Sequence, residues 1–309
     1  MVVAERGLPD QEQNEKFAPV NDPEDARFGK MKSDEVIGIV PCGGLGSRIA
    51  PAPCSKEIFP VGIWKAADGS PRPKVVSHDL LEKFRYGGVR KTIFILRKGK
   101  WDIPEYYGDG SYFDMDIAYL VALLPYGPPY TVDQAYPFVR HANIAFGFPD
   151  ILLDPPDAYK RALQRLSATR SDLVLGLYRS RDILHSDIVA VDRQGRVREI
   201  ELRPSKTKRT IGWMFAVWTP TFTEFLHEYL KTPRTNAQLP GAQLPMELTM
   251  GHIIQAALCE DIVIQSVRFF RHRYLDIGTA DGLRQISADL RVSRRHVSEN
   301  ACNLRLNWE

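Results

Sequence analysis

EVIGIVPCGGLGSRIAPAPCSKEIFP, residues 35–60, is the stretch from which the fold of this 309-residue chain is read. Val36–Val40 is a short β-branched apolar run, and Pro41, Cys42, Gly43 and Gly44 end it, so it predicts a buried strand feeding a glycine-rich turn. Gly43, Gly44 and Gly46 can take backbone angles closed to other residues, which lets successive N–H groups point into one concavity. Such a nest suits phosphate. Arg48 adds a planar fork of donors and Lys56 a mobile point charge, so one loop offers oriented amides and two cations. Two familiar glycine loops do not fit: the dinucleotide fingerprint wants glycine where Ile49 stands, and the P-loop's Gly-Lys-Ser/Thr is absent.

Working outward, strand-like runs at Val36–Val40, Thr92–Leu96, Asp116–Leu123, Ile144–Phe148, Leu173–Tyr178, Ile188–Val191 and Ile211–Trp218 alternate with helical patterns. The helices are expected at Val75–Tyr86, Tyr159–Ala168, Phe222–Lys231 and Leu248–Cys259. That order predicts an α/β fold, a mainly parallel sheet with helices on both faces. Ligands bind beyond the carboxyl ends of such strands, and the loop after Val40 lies at one. Ile188–Asp192 and Val197–Leu202, joined by Arg193-Gln194-Gly195, predict a small antiparallel excursion. Gly62–Lys74, with Asp68-Gly69 and prolines, reads as a loop near the active-site mouth. Residues 1–34 read as a flexible extension, 35–290 as the domain and 291–309 as a tail.

Composition narrows the partners. The chain is 44% hydrophobic and 26% charged, with a net charge of +3 from 41 basic and 38 acidic residues. No global field favours nucleic acid or an anionic membrane, so any basic site is local. Cys42, Cys54, Cys259 and Cys302 form no CxxC pair, which predicts free or buried thiols in a reducing cytoplasm. No apolar run approaches the ~20 residues that span a bilayer, and no signal-peptide pattern opens the sequence; a soluble, cytoplasmic protein is the expectation.

Gly43, Gly44, Gly46, Arg48, Pro51, Lys56 and Pro60 fit GGxGxRxxP followed by Lys and Pro. In this the chain resembles the sugar-nucleotidyltransferases, the nucleoside-diphosphate-sugar pyrophosphorylases. The resemblance implies a Rossmann-like three-layer nucleotidyltransferase fold, and an enzyme that joins a sugar 1-phosphate to a nucleoside triphosphate with release of pyrophosphate. It implies Mg²⁺ as cofactor, a pyrimidine triphosphate (dTTP or UTP) as donor, and a homo-oligomer. Arg48 and Lys56 would be catalytic, with Gly43, Gly44, Gly46 and Ser47 on the nucleotide. Gly108-Asp109-Gly110-Ser111 is similar to the family's GDGS segment and would lie near the base; Gln134, in Asp133-Gln134-Ala135, stands at a nucleotide-contacting helix start, where Asp133 could equally be a simple cap.

For the metal, Asp276 in Asp276-Ile277-Gly278-Thr279 resembles the family's late Asp-x-Gly-Thr motif. Its partner would be Asp150, because Phe148 stands where the family's mid-chain acid belongs. On the sugar-phosphate side Leu202-Arg203-Pro204 resembles Glu-Lys-Pro, with Arg203 as phosphate clamp. Gly212 matches a glycine that admits the sugar, or simply starts a strand, and Glu247-Leu248-Thr249-Met250 resembles Glu-Ile-Thr-Asp. Phe148, Leu202 and Met250 each replace an acid, so a nucleotide-binding homologue without turnover is the competing expectation.

Overall fold

The computed structural model describes residues 35–66, 69–122, 127–180, 182–231 and 248–288. Strand β1 (Val36–Cys42) runs into the glycine turn; a hairpin of β2 (Pro60–Lys65) and β3 (Pro71–Val75) follows, then α1 (Val76–Tyr86), β4 (Lys91–Arg97) and α2 (Asp102–Tyr107). Next come β5 (Asp116–Ala122), the short helices α3 (Pro128–Asp133) and α4 (Tyr136–Val139), β6 (Asn143–Gly147), β7 (Ile151–Leu153) and α5 (Ala158–Thr169). The last part holds β8 (Leu173–Arg179), β9 (Ile188–Val191), β10 (Val197–Glu201), β11 (Ile211–Trp218), α6 (Pro220–Lys231), α7 (Met250–Ala257), β12 (Ile264–Arg268), β13 (Tyr274–Asp276) and a helix from residue 280.

Nine strands form one mixed sheet. β5, β4, β1 and β6 lie side by side and parallel. β11 runs the opposite way between β6 and β8, β12 is parallel to β8, and the antiparallel β9–β10 hairpin joins through Ile188 beside Gly212. The central strands are apolar on both sides because helices cover both faces. Ile37, Ile39, Ile93, Ile95, Ile144 and Phe146 meet Val132, Phe222, Leu226, Ile253 and Ile254 in one core. Val40, Cys42, Phe94, Leu96 and Ala145 meet Leu80, Leu81, Phe84, Tyr159, Ala162 and Leu166 in the other. A bulge in β11 between Trp213 and Phe215 breaks the alternation, so Trp213 faces the first core while Met214 and Phe215 both face the second.

The three-layer α/β expectation holds, and the expected strands and helices are present with slightly shifted ends. Gly62–Lys74 is not a loop. It supplies most of the β2–β3 hairpin, in which Ile63 pairs with Pro73 and Trp64 with Arg72. The prolines misled because they sit on a two-stranded edge, where no further ladder needs their missing N–H. Trp64 anchors the hairpin against His78 and Phe113, with ring centroids 4.7 and 5.2 Å away. Asp133 is likewise no helix start: α3 begins at Pro128 and Asp133 is its last residue, bound to His227 at 2.8 Å. Cys42, Cys54 and Cys259 are free thiols. Cys302, the 1–34 extension and the 291–309 tail lie outside the described residues. Among the described residues no helix is long and apolar enough to cross a membrane.

Helix α1 lies so close to β1 that a Cβ at Gly38 would stand 2.6 Å from Phe84 Cε2 and 2.7 Å from Thr92 Oγ1. Gly38→Ala is expected to lower stability by about 1–3 kcal/mol in urea unfolding, and adding Phe84→Leu to return part of the loss.

Candidate active site

The glycine turn leaves β1 at its carboxyl end. Gly46 has φ 68°, the left-handed region, and starts the short helical turn Ser47–Ile49. Among the described residues it alone of the three loop glycines has positive φ, so Gly43 and Gly44 are not held there by backbone angle. A Cβ at Gly44 would stand 3.6 Å from Lys56 Nζ, an ordinary contact distance, so the lysine tip lies against the loop. The Lys56 side chain thus folds back beneath the loop. It reaches Asp150, Nζ to Oδ2 2.6 Å, and both side chains are largely buried. Arg48, half-exposed, lies 3.7 Å from Asp276 Oδ2. The four sequence-predicted residues therefore converge.

Backbone pairing accounts for the meeting of the two aspartates. β13 runs antiparallel to β7 with Asp276 opposite Ile151, and the Ile277 N–H donates to the Asp150 carbonyl at 3.0 Å. Gly278 keeps the centre open, because the place its Cβ would fill is 2.5 Å from Asp150 Oδ2, 3.0 Å from Asp276 Oδ1 and 3.2 Å from Arg48 Nη2. Burial pushes the Asp150 carboxyl up, but the Lys56 charge and hydrogen bond outweigh it and hold the group below the usual range. Burial and then the Asp150 charge push Asp276 the other way. Lys56 loses to burial and gains more from Asp150 and Glu57 together, so it stays protonated. A carboxylate pair facing two cations is an arrangement that can take a polyanion and a hard cation together.

The residues on either side of Lys56 are fixed by the segment after β4, which sequence reasoning did not single out. Asp102 accepts from the Ser55 N–H and hydroxyl, each at 2.7 Å. Lys100 Nζ meets Glu57 Oε1 at 2.6 Å, where Glu57 is fully buried and its Oε2 has no hydrogen-bond partner. Burial raises the Glu57 carboxyl even against the Lys100 charge. The Ser77 hydroxyl donates to the Glu57 carbonyl at 2.6 Å. The signal in the sequence was only a Lys-x-Asp after an apolar strand, too common to read.

The remaining predicted residues are placed less centrally. Gly108 to Ser111 forms a turn at the start of β5: the Asp109 carboxylate accepts from the Ser111 N–H at 2.9 Å, and the Asp109 carbonyl from Ile117 at 3.0 Å. Since β5 is parallel to β1, this turn is tied to the end opposite the glycine loop. Gly110, φ 91°, is required by that turn. Gln134 is exposed, with its side chain on the Tyr130 carbonyl at 3.4 Å. Glu247 lies outside the described residues. Arg203, exposed with φ 40°, and Gly212 lie beside Asp187. A Cβ at Gly212 would meet Met214 Cε at 3.3 Å and the Asp187 carbonyl at 3.4 Å, so the glycine serves packing within the chain.

Asp187 is the residue the sequence reading missed. Its Oδ1 is buried without a hydrogen-bond partner, and burial raises its carboxyl although Arg203, Trp213 and His252 act against this. Trp213 in turn packs on Phe148, centroids 5.6 Å apart, two residues before Asp150. Asp187, with Arg203 and Trp213 as neighbours, thus forms a wall that reaches Phe148.

No family model matches the chain, and no curated protein does. Solved structures do. A Bacillus anthracis protein named as a glucose-1-phosphate thymidylyltransferase, in complex with a sucrose, superposes with TM-score 0.68 at 16% identity, covering 89% of this chain and 97% of its own. UDP-glucose pyrophosphorylase complexed with UDP-glucose gives TM-score 0.66 at 12% identity over 84% and 99% of the chains, and its apo form 0.67 at 12% over the same shares. The chain shares the fold of these solved structures.

Lys100→Met would strand the Glu57 charge inside the protein and is expected to cost about 3–5 kcal/mol in chemical unfolding, most of it recovered by Glu57→Gln in the same chain. Asp187 gives a pH signature. Its folded pKa lies above the unfolded one, so its contribution is complete below the ordinary carboxylate pKa and is lost as pH rises through the folded value. Asp187→Asn should melt higher than the native chain at pH 8, with the gap closing towards pH 4 in thermal unfolding.

Proposed function

We propose that the protein is a sugar-1-phosphate nucleotidyltransferase, making a nucleoside-diphosphate sugar and pyrophosphate. One observation carries the reading: two cations of a glycine loop each meet one member of an aspartate pair, 2.6 Å for Lys56 to the buried Asp150 and 3.7 Å for Arg48 to the partly exposed Asp276. In this reaction a sugar-phosphate oxygen forms a bond to the α-phosphorus, the bond from that phosphorus to the bridging oxygen breaks, and pyrophosphate leaves with the electron pair. Negative charge builds up around the reacting phosphorus, and placing cations there is the main catalytic device open to the protein.

The loop amides and Ser47 receive the triphosphate, Arg48 grips its oxygens from the exposed side, and Lys56 moves from Asp150 to the α-phosphate. Asp150 and Asp276 would hold Mg²⁺. Two hard carboxylates flanking an open point fit that ion, which takes one or two carboxylates and completes its shell with water and phosphate. Bound there, it neutralises phosphate charge. Arg203 clamps the acceptor phosphate and Asp187 supplies the acid that Leu202 lacks. A pyrimidine triphosphate, dTTP or UTP, is the proposed donor, in keeping with the names of the structural neighbours.

A second reading has its own support. Phe148 and Leu202 stand where acids are expected, and Lys56 is closed on Asp150, as befits a homologue that binds a nucleotide without turning it over. A panel of sugar 1-phosphates against the nucleoside triphosphates, read by pyrophosphate release, decides between them: nucleotide binding with no release under any pairing favours the second. For the active pairing, Lys56→Ala is expected to lower kcat/KM by about 10²–10³-fold. Turnover near that of the native chain would overturn the assignment of Lys56.

A further inference from the structure

The turn between β9 and β10 gathers three guanidinium groups at a place that shares no residue with the candidate active site. Arg165, in the second half of α5, donates through Nη2 to the Gln194 carbonyl and to Gln265 Oε1, the latter at 3.0 Å. Arg268, at the end of β12, donates to the Asp192 carbonyl at 2.6 Å. Arg193 belongs to the turn itself. Together with Gly195 and Ser266 they line a hollow of about 280 Å³. Gly195, φ 85°, holds a backbone angle that favours glycine and places the turn within 3.4 Å, Cβ position to Nη2, of Arg165. The floor is fixed: Ser266 is buried and its hydroxyl donates to the Gly195 carbonyl at 2.7 Å.

The charge of these arginines is uncompensated. Among the described residues no carboxylate pairs with Arg165, Arg193 or Arg268, and the acid of the turn, Asp192, is taken by Arg198 at 2.7 Å and the Arg196 N–H at 2.9 Å. Neutral carbonyls orient two of the forks without cancelling them, and Arg165 Nε is buried without a hydrogen-bond partner. Three like charges around one concavity repel until an anion enters, and a guanidinium fork matches phosphate oxygens. Preorganisation of this kind removes much of the ordering cost of binding.

We propose that this hollow binds the phosphate group of a small phosphorylated molecule, at a site separate from the nucleotide loop. The probe is inorganic phosphate, titrated calorimetrically into the full chain at about 0.15 M chloride, an ionic strength that screens diffuse attraction. Both native protein and Lys56→Ala should give a saturable isotherm. Arg193→Gln with Arg268→Gln, in the Lys56→Ala background, should weaken it by about ten- to a hundredfold, the worth of lost charge-assisted hydrogen bonds. Thermal unfolding checks that this variant is folded; if it is not, Arg193→Gln alone, a turn substitution, must show a weaker loss of the same sign. Unchanged affinity in the folded variants, no saturable heat in Lys56→Ala, or binding that acidic peptide but not phosphate saturates would overturn the proposal. Since no turnover is read, a failed nucleotidyltransferase assay leaves this result standing.

Discussion

The antiparallel contact between β7 and β13 is the constraint on which the candidate site depends. It involves two strands of three residues, outside the main sheet, from distant parts of the chain. The contact sets Asp276 beside Asp150 and fixes both through backbone hydrogen bonds that no side-chain change removes directly. Two carboxylates this close do not both ionise without help. Help comes from the opposite end of the domain, since Lys56 and Arg48 belong to the loop after β1. The result is a four-charge cluster whose members hold one another at different proton affinities, Asp150 lowered and Asp276 raised.

Beneath that cluster lies a second layer of charge. Asp102 and Lys100 reach across from the end of β4 to the residues flanking Lys56, so the lysine is held at its neighbours and only its tip is free to change partner. Burying Glu57 with one unpartnered oxygen is unfavourable on its own. Paired with Lys100, it fixes a direction for the loop that apolar packing, which has no directional preference, would leave loose. Phe59 and Val61, which pack on the buried Ile277, carry the same restraint towards β13.

Much of the fold was legible because the central strands carry runs of apolar β-branched residues and the helices carry spaced apolar faces. The meeting of the glycine loop's cations was legible because glycines, Arg48 and Lys56 are close in sequence, and Asp276 because Gly278 and Thr279 fix its surroundings locally. Gly278 N–H and the Thr279 hydroxyl do bind Asp276, at 2.8 and 2.9 Å. What was hidden depends on tertiary meetings. The hairpin at Gly62–Lys74 was masked by prolines that an edge tolerates, and its strand character comes from Trp64 finding His78 and Phe113. Asp102, Lys100 and Asp187 carry no local pattern; their partners lie on other elements. The turn at Gly108–Ser111 was recognised as a turn, but only strand direction decides at which end of the sheet it falls.

The reversal of β11 has a consequence for how such a protein can change. Because that strand starts beside the end of β6, the wall formed by Asp187, Arg203 and Trp213 hangs from the β9–β11 region, while the aspartate pair and the glycine loop are anchored by β1, β6, β7 and β13. Residues on the wall can be exchanged without disturbing the ladder that holds the aspartate pair. The scaffold thereby lets one surface of the candidate site vary while the charged cluster beside it is held in place.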